Sequence, residues 1–196
     1  RNLNMPNLLN YYGLDINHSN ISLLAEPLRE EWKLILEILQ NSQPSKPEDV
    51  VLLMTQICKC VESLHSLGIP HGHLSLEVFL ISGPIFTAAS KLKLLGLELI
   101  DFEKYLDPKT LEFSKRYRDP DFNQTLDNDI YSLGCLFEEF WKFHKKNVKV
   151  GEIAQMQLTL LFERCKQKVK ILRPSIDDVI DFLENINFSE AKPLKQ

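Results

Sequence analysis

The residues best suited to chemistry lie in one short stretch, His71-Gly72-His73-Leu74-Ser75-Leu76-Glu77-Val78. An imidazole with an ordinary pKa near 6.5 is competent to accept a proton at neutral pH, so His73 is a candidate general base. The four cysteines, Cys58, Cys60, Cys135 and Cys165, form no C-x-x-C pair and no Cys/His cluster with zinc spacing. Three of them sit in apolar helical patterns, where a free thiol behaves as a small hydrophobe, and this predicts a reducing compartment. A net charge of −4 gives no general case for nucleic acid or for an anionic membrane surface. The local basic groupings (Lys142, Lys145, Lys146, Lys149, then Lys166, Lys168, Lys170, Arg173) read as a solvated helix face and a loop. No run of 18 apolar residues is present and the first residues are not a signal peptide, so a cytoplasmic protein is expected, with the nucleus as the alternative.

The elements that must position this stretch follow from periodicity and punctuation. Asn7–Leu14 and Ile21–Glu26 are short apolar runs around a polar segment, Asp15–Asn20, and read as a hairpin. A lone hairpin is marginal in water, so the chain is expected to begin in mid-domain. Glu30–Gln40 reads as a short helix. Ser45-Lys46-Pro47-Glu48 reads as a capping box opening a long helix that carries Val50, Leu53, Met54, Ile57, Val61 and Leu64 and stops at Gly68. Two short strands, Val78–Ser82 and Leu92–Leu99, precede a polar irregular segment over 101–126. Asp129–Phe143 is apolar nearly all round and reads as a buried central helix. Helices over 153–168 and 176–186 complete the chain, the second capped by Ser175.

This order of elements, with five motifs in register, resembles the protein kinase superfamily from its fourth strand onward. Met5-Pro6-Asn7-Leu8-Leu9 is similar to the H-P-N-I-V entry to that strand, and Leu24-Ala25-Glu26 to the hinge, with Ala25 at the gatekeeper position. Ser63-Leu64-His65-Ser66-Leu67-Gly68-Ile69 leads into His71-Gly72-His73-Leu74 as Y-L-H-x-x-x-I-x-H-R-D-L does in kinases. Asp129-Ile130-Tyr131-Ser132-Leu133-Gly134-Cys135 resembles the start of the kinase F helix, and Arg173-Pro174-Ser175 the late R-P-S/T. The implied fold is α+β, mainly α. Residues 1–28 would close an N-lobe, with a remnant β-hairpin and the hinge, and residues 29–196 would form a helical C-lobe. The segment from Phe143 to Ile153 is shorter than the usual G-helix region.

The resemblance also implies what is missing. The catalytic Asp becomes His73, the phosphate-steadying Lys becomes Ser75, and the metal-binding Asn becomes Val78, which has no lone pair for a hard cation. Two registers supply a D-F-G equivalent: Lys91-to-Glu98, which makes the metal Asp into Gly96 and its Phe into Leu97, or Asp101-Phe102-Glu103 downstream, which leaves Asp101 as a metal ligand. Groups implied to hold the lobe in shape remain: His71 in the regulatory spine, Asp129 bonding the catalytic loop, and Asp121 pairing with Arg173. Ala25, Glu26, Leu28 and Leu80 would form a weak hinge site for a nucleotide, with Leu136 and Phe140 beneath it. The expectation is a pseudokinase, a scaffold or allosteric protein-binding module in signalling. Its partners would be proteins, including another domain of the same chain, with no nucleic acid and no membrane. ATP binding would be weak or absent, and magnesium is not expected. The alternative is an atypical serine/threonine kinase or nucleotide sensor using His73 and Asp101.

Overall fold

The computed structural model describes residues 5–17, 20–29, 31–95, 115–121 and 123–188. Strands β1 (Tyr11–Asn17) and β2 (Asn20–Ala25) pair antiparallel, with a register shift between Tyr11 and Gly13. The ladder runs to Asn17↔Asn20, so Asp15–Asn17 are strand and not turn, a correction to the sequence reading. Asn7–Asn10 also lies outside the hairpin. Leu8 forms a parallel bridge to Leu94, with Leu94 N–H donating to Asn7 O (2.8 Å) and Leu9 N–H to Leu94 O (3.0 Å).

The expected helix over Glu30–Gln40 divides in two. Lys33–Leu34 form β3, because β4 (Phe79–Ser82) takes their backbone in the pairs Lys33↔Ile81 and Leu34↔Leu80. Only Ile35–Leu39 remain for helix α1. β4 also pairs with β5 (Lys91–Leu94), giving an antiparallel sheet of order β3-β4-β5.

Helix α2 (Pro47–His65) begins one residue later than its sequence signal. Asp49, not Glu48, reaches back, its Oδ2 accepting the amides of Ser45 (3.0 Å) and Lys46 (3.1 Å). A carboxylate there satisfies two otherwise orphaned donors and faces the positive end of the helix. Ile57, Val61 and Leu64 are fully buried, at helical spacing, against the core.

Three further helices follow: α3 (Leu126–His144), α4 (Glu152–Cys165) and α5 (Ile176–Glu184). α3 buries residues on several faces, among them Leu133, Phe137 and Trp141, so it is a central element rather than a surface one. Gly134 lets α4 approach it: a Cβ at this position would lie 2.6 Å from Cys165 Cβ. α5 carries a true capping box, Ser175 Oγ accepting from Asp178 N–H (3.1 Å) while Asp178 Oδ2 accepts from Ser175 N–H (2.9 Å). Among the described residues no helix is long and apolar enough to cross a membrane.

His144, at the end of α3, is only 1% exposed and sits among the rings of Phe86, Phe140 and Phe143. Burial lowers its pKa from the ordinary histidine value of 6.5. The unfolded chain therefore takes up this proton at a higher pH than the folded one. The stability tied to His144 is full above pH 6.5 and is lost as pH falls through the folded-state value. Melting temperatures between pH 7.5 and 5 are expected to decline in the parent chain and to decline less in His144→Leu. Equal slopes would show that the imidazole does not titrate with unfolding.

Candidate functional site

The His71–Val78 loop is held from below by one carboxylate. Asp129, in the first turn of α3 and fully buried, accepts the amide of His71 at Oδ2 (2.6 Å) and that of Gly72 at Oδ1 (2.7 Å). His65 Nε2, at the end of α2, lies 2.9 Å from Oδ2. A buried carboxylate is tolerable only when its lone pairs are used, and charge-assisted bonds of this length are the strong kind. Gly72, at φ 79°, occupies the left-handed region that side chains disfavour. The turn there aims two successive amides at one carboxylate.

Above this clamp, His71 ties the loop to the end of β5. Its Nδ1 accepts from the His73 amide (3.2 Å) and its Nε2 donates to Leu95 O (2.6 Å), which assigns the neutral Nε2–H tautomer from the bonding pattern. Leu95 N–H donates in turn to Val78 O (2.7 Å). The loop and the strand end are thus stapled at both levels.

The positions singled out for chemistry are enclosed. His73 is 1% exposed, and its Nδ1 faces Arg118 Nη2 at 3.1 Å. Arginine is only a donor, so this imidazole nitrogen is the acceptor and its lone pair is engaged. Ser75 and Val78 are buried as well, and Val78 N–H donates to Ser75 O (3.4 Å) in the short 3₁₀ turn over Leu76–Val78. Gly96, Leu97 and Asp101, which carry the two readings of the metal position, lie outside the described residues. Among the described residues no group of three or more His, Cys, Asp or Glu side chains is placed to hold a metal ion. The three buried thiols are disfavoured as thiolates: burial pushes Cys60 and Cys165 up to about 12 and Cys58 well above the ordinary value.

Arg173 does not pair with Asp121. Its Nη1 lies 2.6 Å from Asp119 Oδ2, off the N–H axis, so the contact is an ion pair more than an aligned hydrogen bond. The Asp121 side chain is left at the exposed rim, while its amide donates to Asp119 Oδ1 (2.9 Å). The turn through Pro120 brings the earlier aspartate of Asp119-Pro120-Asp121 inward, which residue spacing alone does not reveal. Arg173 also donates to the carbonyls of Gln167 (2.8 Å) and Asp127 (2.9 Å) and lies 5.0 Å from the Tyr131 ring centre. Burial works against the Asp119 carboxylate, but the Asp121 amide and the Arg173 guanidinium together hold its pKa below the ordinary value.

At the hinge-like segment, Ala25 pairs with Tyr11 and Glu26 N–H donates to Asn10 O (2.8 Å). Glu26 forms an ion pair with Lys93, which stands opposite Leu80 in the β4–β5 ladder, so Glu26 and Leu80 meet through that lysine. Leu28 is exposed. Leu136 and Phe140 line a cavity of ≈200 Å³ beside Leu76, Tyr117 and His144. One lysine of each basic grouping is engaged internally: Lys142 and Lys166 both reach Glu138, at 2.8 and 2.5 Å. Arg118, Asp119, His65 and Lys93 escaped sequence reasoning. Only the D-x-D spacing of Asp119 and Asp121 carried a usable hint. Compared with models of known protein families and with curated proteins, the chain matches none.

Proposed function

We propose that this chain is a protein-kinase-like domain, the end of an N-lobe over 1–28 and a C-lobe over 29–196, that transfers no phosphate and serves as a scaffold or allosteric protein-binding module. The observation that carries the reading is the pairing of a fully engaged clamp with a disarmed loop. Asp129 bonds the amides of His71 and Gly72, while His73, which the kinase resemblance sets in place of the phosphoryl-transfer base, is buried with Arg118 against its Nδ1. Phosphoryl transfer depends mostly on positioning and on metal neutralising the developing charge. Val78 supplies no oxygen for such a metal. Four free thiols, three of them buried, favour a cytoplasmic or nuclear setting.

The reading is tested by single-turnover incubation with radiolabelled ATP and magnesium, paired with melting curves in ATP with and without the metal. No stoichiometric labelling of the chain or of a generic substrate is expected. A ligand that binds only the folded form raises stability by about 2.7 kcal/mol at 100 times its Kd, so weak binding leaves the melting temperature almost unmoved at millimolar ATP. Stoichiometric labelling, or a magnesium-dependent rise of several degrees, would overturn the proposal. The alternative in which His73 acts as a base requires its lone pair free, and the Arg118 contact weighs against that.

A further inference from the structure

Helix α1, the 3₁₀ turn over Leu76–Val78 and the C-terminal half of α3 leave between them the cavity of ≈200 Å³ described above. Its floor is buried, with Leu39, Leu136 and Phe140 each at most 5% exposed. Its rim reaches the surface, where Gln40 is exposed and Phe143 is 60% exposed. None of Ala25, Glu26, Leu28 and Leu80 lines it, so it is separate from the hinge-like segment. Of the titratable groups on its walls, two are already engaged: Glu139 accepts from Arg116 Nη2 (2.6 Å) and from the Tyr117 hydroxyl (3.1 Å). His144 is different. It lines the cavity at 1% exposure, its ring meets those of Phe86, Phe140 and Phe143, and neither ring nitrogen hydrogen-bonds another described residue. Burial lowers its pKa, so the ring is neutral at pH 7 and carries one N–H and one lone pair in either tautomer. Native structures leave few such buried groups unpaired, because each one left so is costly.

We propose that this cavity binds a small uncharged aromatic alcohol of about the size of phenol, its ring among the leucines and its hydroxyl on the His144 imidazole. Size sets the first limit. An apolar cavity of about 150 Å³ takes up benzene, and the larger volume here leaves room for one ring with a substituent. The walls set the second: Leu36, Leu39, Leu76, Leu136, Phe140 and Phe143 ask for an apolar body, and the two phenylalanine rings favour an aromatic one packed edge to face. The imidazole sets the third. A hydroxyl both donates and accepts, so it serves the ring N–H or the lone pair, whichever tautomer is present. Charge is disfavoured, because an ion would meet only a neutral imidazole, a phenol and a carboxylate that is already engaged. The walls and the imidazole are the same whether or not the His71–Val78 loop transfers phosphate, so this inference and the proposed function stand or fall independently.

The test titrates the full chain with phenol and with toluene, which carries a methyl in place of the hydroxyl, and follows histidine side-chain nitrogen and leucine methyl resonances by NMR. Phenol is expected to bind with a millimolar Kd or better and to move the His144 nitrogen resonances at saturation, a readout that needs no variant. It is also expected to bind at least as tightly as toluene, although its hydroxyl must leave water, because the imidazole replaces the lost bond. In His144→Leu the hydroxyl has no partner, so phenol should weaken by about tenfold while toluene is nearly unchanged. No saturable shift with millimolar phenol, unmoved His144 nitrogens at saturation, toluene binding tighter than phenol in the parent chain, or the same phenol-to-toluene ratio in His144→Leu would each overturn the inference.

Discussion

Replacing Asp129 by alanine is expected to cost about 3–5 kcal/mol, because it leaves buried donors without their acceptor. The His71 and Gly72 amides and His65 Nε2 all converge on this one carboxylate, and His71, Gly72 and Asp129 are buried. For a domain of this size the melting temperature should fall by roughly 6–20 °C. Asp129→Asn is a sharper probe, since its amide turns one acceptor into a donor that must face another donor. It should recover only part of the loss. Thermal and urea unfolding of the parent and both variants measure this directly. A change below about 1 kcal/mol in Asp129→Ala would mean that the loop is held by the His71 bond to Leu95 and by packing, and that the clamp is incidental.

Arg173→Ala is the second large effect, again about 3–5 kcal/mol, because it strands a buried Asp119 carboxylate and frees two carbonyls and a ring face at once. Asp121→Asn is expected to change stability by less than about 0.5 kcal/mol, as an exposed substitution away from any buried partner. The contrast between the two aspartates decides which one anchors Arg173, and a large effect at Asp121 would reverse that assignment. The same pair bears on acid stability. Asp119 has its folded-state pKa below the ordinary 3.8, so the stability it contributes is full above that value and is lost as pH falls through the folded-state one. Asp119→Asn should flatten the acid limb below pH 4 while leaving the His144 limb, which sets in below pH 6.5, intact.

Much of the architecture could be read from one-dimensional pattern because it depends on one-dimensional periodicity. The apolar spacing of α2 and the nearly all-round apolarity of α3 located both helices, and Ser175 with Asp178 marked the start of α5. Boundaries failed where another segment claimed the backbone. Lys33–Leu34 went to a strand because β4 lay beside them, and Asp49 displaced Glu48 because the cap is set by where the chain enters the helix.

Within the loop, the amino-acid sequence by itself determined that Val78 offers no lone pair and Ser75 no charge. It also placed Asp129 on the helix that lies under the loop. Only the tertiary structure decided what the retained groups do. That Asp119 and not Asp121 meets Arg173 and that Arg118 reaches His73 are consequences of chain turns. Those turns bring residues far apart in sequence within a few ångströms, and no local pattern encodes where a chain will be when it returns.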